Sequence, residues 1–310
     1  MTGPDEFHVH VDDRSQFRRV TLTDGTVAAR FVPEAGMVGA SLTDAGVELL
    51  GLGKGLDEYV ANGVLFGLPV MHPWANRLGG YGYSTQSRTV TLTAGQPGLW
   101  TDGQGLVIHG LLAAHRGWRI ESLSSNELTA VLDFGAHPEL IAGFPYPHEL
   151  ALRVTLRDRT LTIATTVTAT SDVPVPLCFG FHPYLTIPDV PREQWVVETP
   201  PMRHLELDAQ LLPTGGATNQ PARSAVLGDT VFDDGYDQVA DGAVFAVSGG
   251  GRRVEVRFET GYPAAQVYAP IDQDVICFEP MAAPTDALRR GGYRCAMPNE
   301  PAEARFSIRV

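Results

Sequence analysis

The chain has little of what marks several common classes of protein. Its 3 cysteines cannot all pair and have no metal-ligand spacing. Only one of its 23 basic residues is a lysine, and 36 acidic residues give a net charge of −13, which disfavours nucleic acid and anionic membranes as partners. No apolar run approaches the roughly 18 residues of a spanning helix, and Met1–Phe17 lacks the apolar stretch of a secretory signal. These absences predict a soluble, cytoplasmic globular protein.

The dominant pattern that is present is alternation of apolar and polar residues. It runs through Leu152–Val167 with a break at residues 158–159, which predicts a β-hairpin. Val254–Glu259 and Thr89–Thr93 predict further strands. The 33 glycines and 23 prolines are spread along the chain, so they separate many short strands.

Helical periodicity is confined to two short segments, Leu56–Leu65 and the stretch after Pro284. The proline-rich residues 188–221 are interpreted as a surface loop that includes the strand-like Trp195–Val197. We therefore predict one all-β domain over residues 1–310, a large antiparallel two-sheet β-sandwich with few short helices.

Two stretches place hydrogen-bond donors beside flexible turns. Asn76-Arg77 precedes Gly79-Gly80, and His109 closes an apolar strand before a glycine. A solvated loop arginine and a core histidine are the structural alternatives for these two stretches.

Two other stretches place titratable groups among apolar residues. His182 lies within Leu177–Leu185, where burial disfavours the imidazolium unless a carboxylate is near. Glu279 follows Val275–Phe278, and such surroundings raise a carboxyl pKa and suit a general base. A core histidine bonded to a carbonyl is the alternative for His182, and Phe232–Asp237 by itself indicates a turn.

Other kinds of site find little support. The chain has no nucleophile elbow and no Cys/His cluster, and Gly51–Gly55 lacks the ending of a phosphate-binding loop. His8 and His10 could share a strand face, but no glutamate follows at matching spacing. We therefore expect no metal and no organic cofactor.

Taken together, the motifs resemble the aldose 1-epimerase (galactose mutarotase) family. The similar segments occur in the family's order: Asn76–Gly80, His109-Gly110 with Trp118, His182–Leu185, Phe232-Asp233 with Tyr236, Gln266–Tyr268 and Glu279-Pro280.

Three positions depart from the family pattern. Ala113–Gly117 replaces an aromatic-Asp-Lys stretch, Met281 replaces a glutamine, and Phe181-His182 replaces Asn-His. Arg116 stands where sugar-phosphate epimerases of the family carry an arginine, which leaves a phosphorylated substrate as an alternative.

The resemblance implies the mutarotase β-sandwich and interconversion of the α and β anomers of a free aldose. Glu279 would be the base and His182 the acid. The substrate-binding groups would be Arg77, Asn76 as its support, His109, Asp233, Gln266 and Trp118, with Trp74 a further aromatic candidate.

Two rival classes remain at this point. A non-catalytic sugar-binding module would keep Arg77 and the aromatic residues without needing both His182 and Glu279. A polysaccharide lyase or hydrolase is the second class; hydrolases need two carboxylates flanking the bond, and only Glu279 has a convincing buried setting. The expected partner is a monosaccharide, with no nucleic acid and no membrane, for a monomer or homodimer.

Overall fold

The structure, a computed structural model, describes residues 17–85 and 88–310 of the chain. His8, His10 and nearly all of the N-terminal segment assessed for a signal lie outside the described residues. Strands dominate the described part. They are β1 (Val20–Asp24), β2 (Val27–Val32), β3 (Val38–Asp44), β4 (Val47–Glu48), β5 (Val70–Met71), β6 (Gly82–Ser84), β7 (Thr89–Thr91), β8 (Trp100–Thr101), β9 (Val107–Ile108), β10 (Arg119–Leu123), β11 (Glu127–Asp133), β12 (His148–Arg157), β13 (Thr160–Ala169), β14 (Val175–Leu177), β15 (Gly180–Phe181), β16 (Tyr184–Leu185), β17 (Val196–Thr199), β18 (Met202–Leu207), β19 (Pro213–Gln220), β20 (Arg223–Val226), β21 (Phe232–Asp237), β22 (Ala243–Gly249), β23 (Arg252–Thr260), β24 (Ala264–Ala269), β25 (Ile276–Met281), β26 (Arg294–Ala296) and β27 (Ala302–Arg309).

Helices are few and short. They are α1 (Gly55–Asn62), α2 (Pro138–Gly143), α3 (Ala287–Arg290) and the 3₁₀ turns Pro33–Ala35, Phe134–Ala136 and Arg192–Gln194. The first and third α-helices lie in the two segments predicted to be helical, whereas α2 was not predicted. No helix in the described ranges is long and apolar enough to cross a membrane.

Two large sheets form the body of the fold. One has nine strands in the order β10-β11-β12-β13-β27-β23-β22-β17-β20, and the other has eight, in the order β19-β18-β21-β24-β25-β15-β5 with β16 also paired to β25. Pairing within both is antiparallel. A four-stranded sheet, β1-β2-β3-β4, and three two-stranded sheets complete the set. The predicted all-β, antiparallel class is confirmed.

The central hairpin follows directly from its sequence. β12 and β13 pair over ten residues each, and every second side chain on both strands is buried in their central parts. Asp158 and Arg159, the two residues between them, both have positive φ, as a tight hairpin turn matched to the twist of its strands requires. The predicted break is therefore the turn itself.

Two predictions about polar segments are wrong. Residues 188–221 contain the strands β17, β18 and β19, of which only the first overlaps the predicted strand-like segment. Pro200, Pro201, Pro213 and Pro221 fall at or beside the ends of these strands and do not interrupt them. Phe232–Asp237 is β21 and pairs residue by residue with β24, not a turn. Its acidic side chains and glycine give it the composition of a turn, although each of its six residues pairs with a residue of β24.

Aromatic side chains fill the space between the two large sheets. Phe278 of β25 packs on Phe245 of β22 with ring centroids 5.4 Å apart, and Phe181 of β15 packs on Phe306 of β27 at 4.9 Å. All four side chains are buried. These two contacts show which face of the eight-stranded sheet packs against the nine-stranded sheet and lines the core.

Candidate active site

Glu279 and His182 are placed on the face of the eight-stranded sheet that points away from the nine-stranded one. Successive side chains of a strand point to opposite faces. Because Phe278 points toward the nine-stranded sheet, Glu279 points away from it. Phe181 likewise points into the core, and His182 follows it on the opposite side.

The two titratable side chains meet. His182 Nε2 lies 3.2 Å from Glu279 Oε1, and the side chains are only 6% and 2% exposed. Among the described residues, Glu279 Oε2 and His182 Nδ1 have no hydrogen-bond partner. Buried polar atoms are rarely left unpaired in folded proteins, so these two atoms are free for a ligand or water.

Burial controls the ionisation of this pair. It raises the pKa of Glu279 well above the usual value, an effect that Asp233 adds to and Arg77 opposes. Burial also lowers the pKa of His182 to about 3, with Arg77 acting in the same direction. Both shifts favour the neutral form of the pair, with its proton on the carboxyl group.

A row of polar side chains continues from Glu279 across the sheet. Gln266 lies directly opposite Glu279, and Asp233 lies opposite Tyr268, so all four share one face. Gln266 Nε2 donates to Asp233 Oδ1 at 2.6 Å. The Asp233 side chain is 29% exposed, which makes it the point where this row meets solvent.

Arg77 is held beside this row by three oxygen acceptors. Its Nε donates to Asp102 Oδ2 at 2.7 Å, its Nη1 donates to Asn76 Oδ1 at 3.1 Å, and its Nη2 lies 3.6 Å from Asp233 Oδ2. Burial raises the pKa of Asp102, but the Arg77 hydrogen bond and two backbone N–H groups outweigh it and keep the pKa lowered. An ionised Asp102 therefore fixes the guanidinium, and Asn76 is a second acceptor for it.

His109 borders the site from a strained backbone. Its φ is 63°, a region that non-glycine residues seldom adopt and that is often found at functional sites. Its N–H donates to the carbonyl of Asn76, which fixes it to the Arg77 segment. Its ring meets that of His182 edge-on at 5.3 Å, and its buried Nδ1 has no partner within the described ranges.

Four further residues singled out from the sequence have apolar or surface surroundings. Trp118 and Trp74 are 7% and 1% exposed and belong to the main apolar core. Met281 packs with Met71 in a small apolar cluster beside the site. Arg116 is exposed, and its guanidinium lies over the ring of Phe17 at 5.1 Å.

Three side chains around Arg77 and His182 were given no role in the sequence analysis. Asp102 anchors Arg77; Tyr184 stacks on His182 with ring centroids 4.3 Å apart and planes at 11°; and Tyr268 meets His182 edge-on at 5.9 Å. Burial, with help from Cys277, Asp233 and Glu279, raises the pKa of Tyr268 to about 12, so it remains a neutral donor. Tyr184 and Tyr268 lie in recognised motifs, whereas Asp102 follows no motif that would distinguish it.

Within the described ranges, one cluster has residue types suited to a metal, namely His115, His137 and Glu139, whose candidate ligand atoms lie within 4.8 Å of one another. His115 Nδ1 accepts a hydrogen bond from Gly117 N–H at 3.1 Å. The neutral ring therefore carries its proton on Nε2, which lies 3.2 Å from Glu139 Oε1. This hydrogen-bonded arrangement occupies the nitrogen that a metal would need.

Comparison with known proteins places the chain in a family. A profile of the family described as aldose 1-epimerase matches residues 18–308. The chain therefore belongs to the aldose 1-epimerase family, and the resemblance drawn from its motifs is confirmed. A search of curated protein sequences gives no match.

Solved structures give the same fold. A Synechocystis protein is 18% identical with a TM-score of 0.77, and the match covers 99% of both chains. A galactose mutarotase-like protein of Clostridium acetobutylicum is 17% identical with a TM-score of 0.80 over 94% of both chains. An aldose epimerase homologue from C. elegans is 15% identical with a TM-score of 0.76, over 94% of this chain and 98% of its own. At these identities the likeness establishes the fold.

Proposed function

We propose that the protein is a mutarotase that interconverts the α and β anomers of a free aldose. The observation that carries this proposal is the buried 3.2 Å contact between His182 Nε2 and Glu279 Oε1, with unpaired polar atoms on both side chains. A sugar-binding module has no use for a buried, coupled acid and base. General acid–base catalysis of about 10²–10⁴-fold per group suits a reaction that already proceeds in water.

In the proposed reaction, Glu279 takes the proton of the C1 hydroxyl while His182 gives a proton to the ring oxygen. The bond between C1 and the ring oxygen breaks, and an aldehyde forms at C1. Rotation about the C1–C2 bond exposes the other face of the aldehyde. Closure reverses both proton transfers and gives the other anomer.

The buried setting bears on this assignment through the place where the pair holds its one proton. Before ring opening the pair is carboxylate and imidazolium; after opening it is carboxylic acid and neutral imidazole. Burial favours the neutral pair. Because burial favours the neutral pair before the sugar reacts as well, the proton must first move from Glu279 to His182; ring opening then returns the pair to the form that burial favours.

Arg77, His109, Asp233 and Gln266 are the proposed hydroxyl-binding groups, with Asn76 as the support of Arg77. Trp118 is kept as a candidate substrate contact. Two acidic groups flank Arg77, so its charge is already balanced. Since Arg116 lies over Phe17 instead, we propose a neutral sugar rather than a sugar phosphate.

We further propose that residues 1–310 act as a single cytoplasmic domain, as a monomer or homodimer. A monosaccharide is the proposed partner, and neither nucleic acid nor membrane is expected. No metal or organic cofactor is needed for the proposed steps, so a chelator should leave the rate unchanged.

Polarimetry tests the proposal. Fresh α-anomers of glucose, galactose and other aldoses, and glucose 6-phosphate, are followed with and without protein. We expect acceleration for at least one unphosphorylated aldose, and an acceleration at least about 10²-fold smaller with the folded Glu279→Gln variant as matched control. A wild-type rate equal to the spontaneous rate for every sugar contradicts the proposal. Acceleration confined to glucose 6-phosphate contradicts the neutral-sugar assignment.

A further inference from the structure

We propose that Asp286 is a positioning residue that sets Arg77 relative to Glu279. The inference rests on the proposed function, because Arg77 is assigned there as a substrate-binding group. Asp286 immediately precedes α3, is buried, and has a φ of 64°. Neither the motifs nor the reaction steps gave it a role.

Asp286 holds the Arg77 segment at two points. Its Oδ1 accepts a hydrogen bond from Gly79 N–H at 2.8 Å, and its own N–H donates to the carbonyl of Arg77 at 3.1 Å. These bonds enclose the backbone just after the Arg77 side chain. The end of the Arg289 side chain also lies against Gly79, so a side chain of α3 covers this turn.

The other end of the same segment is the catalytic strand. Glu279 lies in β25, and Asp286 follows it by seven residues. Between them, Ala282 N–H donates to the carbonyl of Phe179, three residues before His182. One short stretch therefore connects the proposed base, the acid-bearing segment and the Arg77 segment.

The charge of Asp286 has a local partner and is not directed at a substrate. Arg289 Nη1 lies 3.4 Å from Asp286 Oδ2, and the side chain of Asp286 is only 4% exposed. Its contacts are with backbone and with Arg289, so it acts through Arg77 rather than by touching sugar. Loss of its carboxylate should let Arg77 shift while Glu279 and His182 stay in contact.

The test is steady-state mutarotation by Asp286→Ala and Asp286→Asn. We expect Asp286→Ala to raise KM about 10-fold and to lower kcat less than 3-fold, because Arg77 contacts the sugar already in the ground state. Asp286→Asn keeps an oxygen that can accept from Gly79 N–H and should retain kcat/KM within about 3-fold of wild type. Asp241→Ala, which removes an exposed aspartate that bonds Gly261 N–H, is the matched control and should change neither constant.

A double mutant separates positioning from general support. If Asp286 acts through Arg77, adding Asp286→Ala to Arg77→Ala should lower kcat/KM less than 2-fold further. Multiplicative losses in the double mutant, or a folded Asp286→Ala with wild-type KM, would overturn the inference. If Asp286→Ala does not fold, Asp286→Asn provides the test. The inference then requires that Asp286→Asn keep a KM close to that of wild type and keep the Gly79 N–H protected from hydrogen exchange.

Failure of the proposed function can be told apart from failure of this inference. If the wild-type protein accelerates no mutarotation, the proposed function is wrong, and amide exchange at Gly79 still tests whether Asp286 holds the Arg77 segment. Exchange at least 10-fold faster in Asp286→Ala supports the contact, and unchanged exchange contradicts it.

Discussion

Two buried side-chain pairs that contain histidine can be compared among the described residues. One is His72 with His148, and the other is His182 with Glu279. His72 Nε2 and His148 Nε2 are 2.8 Å apart, and both rings are almost fully buried, like His182. His148 Nδ1–H donates to the carbonyl of Tyr146 at 2.6 Å, so its Nε2 must accept from His72. Phe134 stacks on His148 at 4.4 Å and closes the pair off.

Lowered histidine pKa values are common to both places. Burial lowers the pKa of His148 to about 4 and that of His72 well below its usual value. His182 differs by its carboxylate neighbour, Glu279, and by the nearby row that reaches solvent at Asp233. Burial of an imidazole therefore does not define a site, whereas burial together with a proton-exchange partner and access to solvent does.

The largest expected effect comes from removing the base. Glu279→Gln keeps shape and hydrogen bonding but cannot take a proton, so kcat for mutarotation should fall at least about 10²-fold with little change in KM. The pH profile of kcat/KM should be bell-shaped for wild type, and the variant should lose its acid limb. Near-wild-type kcat in folded Glu279→Gln would place the base elsewhere.

Removing the acid should cost a similar factor. His182→Asn keeps a donor but cannot cycle a proton, so kcat should fall about 10²-fold. The double variant with Glu279→Gln should be little worse than the slower single variant, because residues acting as a unit are not additive. Losses that multiply instead would mean that the two groups act independently.

The other histidine pair should affect stability and not rate. His148→Leu leaves the His72 N–H without an acceptor, so the free energy of unfolding should fall by about 1–3 kcal/mol at pH 7. Urea unfolding measures this loss. The kcat of the folded variant should equal that of wild type, and a 10-fold loss of kcat would erase the distinction between the two pairs.

Acid should reduce the stabilising effect of His148. Its pKa is about 4 in the folded protein and near 6.5 when unfolded, so only the unfolded chain takes up this proton as pH falls from 6.5. The stability difference between wild type and His148→Leu should therefore shrink by about 2 kcal/mol between pH 7 and pH 5. A difference that is constant with pH, measured by denaturation at both values, would argue against a neutral His148.

The smallest effect is expected at Arg116. Because it is exposed and packs over Phe17, Arg116→Ala should change the ratio of kcat/KM for glucose to that for glucose 6-phosphate less than 2-fold. Polarimetry with both sugars gives the ratio. A clear loss of activity toward the phosphate alone would bring Arg116 into the site.

Much of the fold was predictable because alternation is a local signal. The β12–β13 hairpin, β23 and the positions of α1 and α3 follow from neighbouring residues. The strands β18, β19 and β21 were not predicted, since their polar or proline-rich composition suggests loops, whereas the strand-like Trp195–Val197 overlaps β17. Only pairing with partners distant in sequence makes them strands.

The all-β class, the family resemblance and the place of Glu279 and His182 as titratable groups in apolar runs follow from residues close together in the chain. Which side chains meet depends on how distant segments fold against one another. Asp102 reaches Arg77 from 25 positions away, and Asp286 reaches Gly79 from 207 positions away. Such contacts depend on the register of strands and on where loops cross, and neither composition nor local periodicity encodes that distance information.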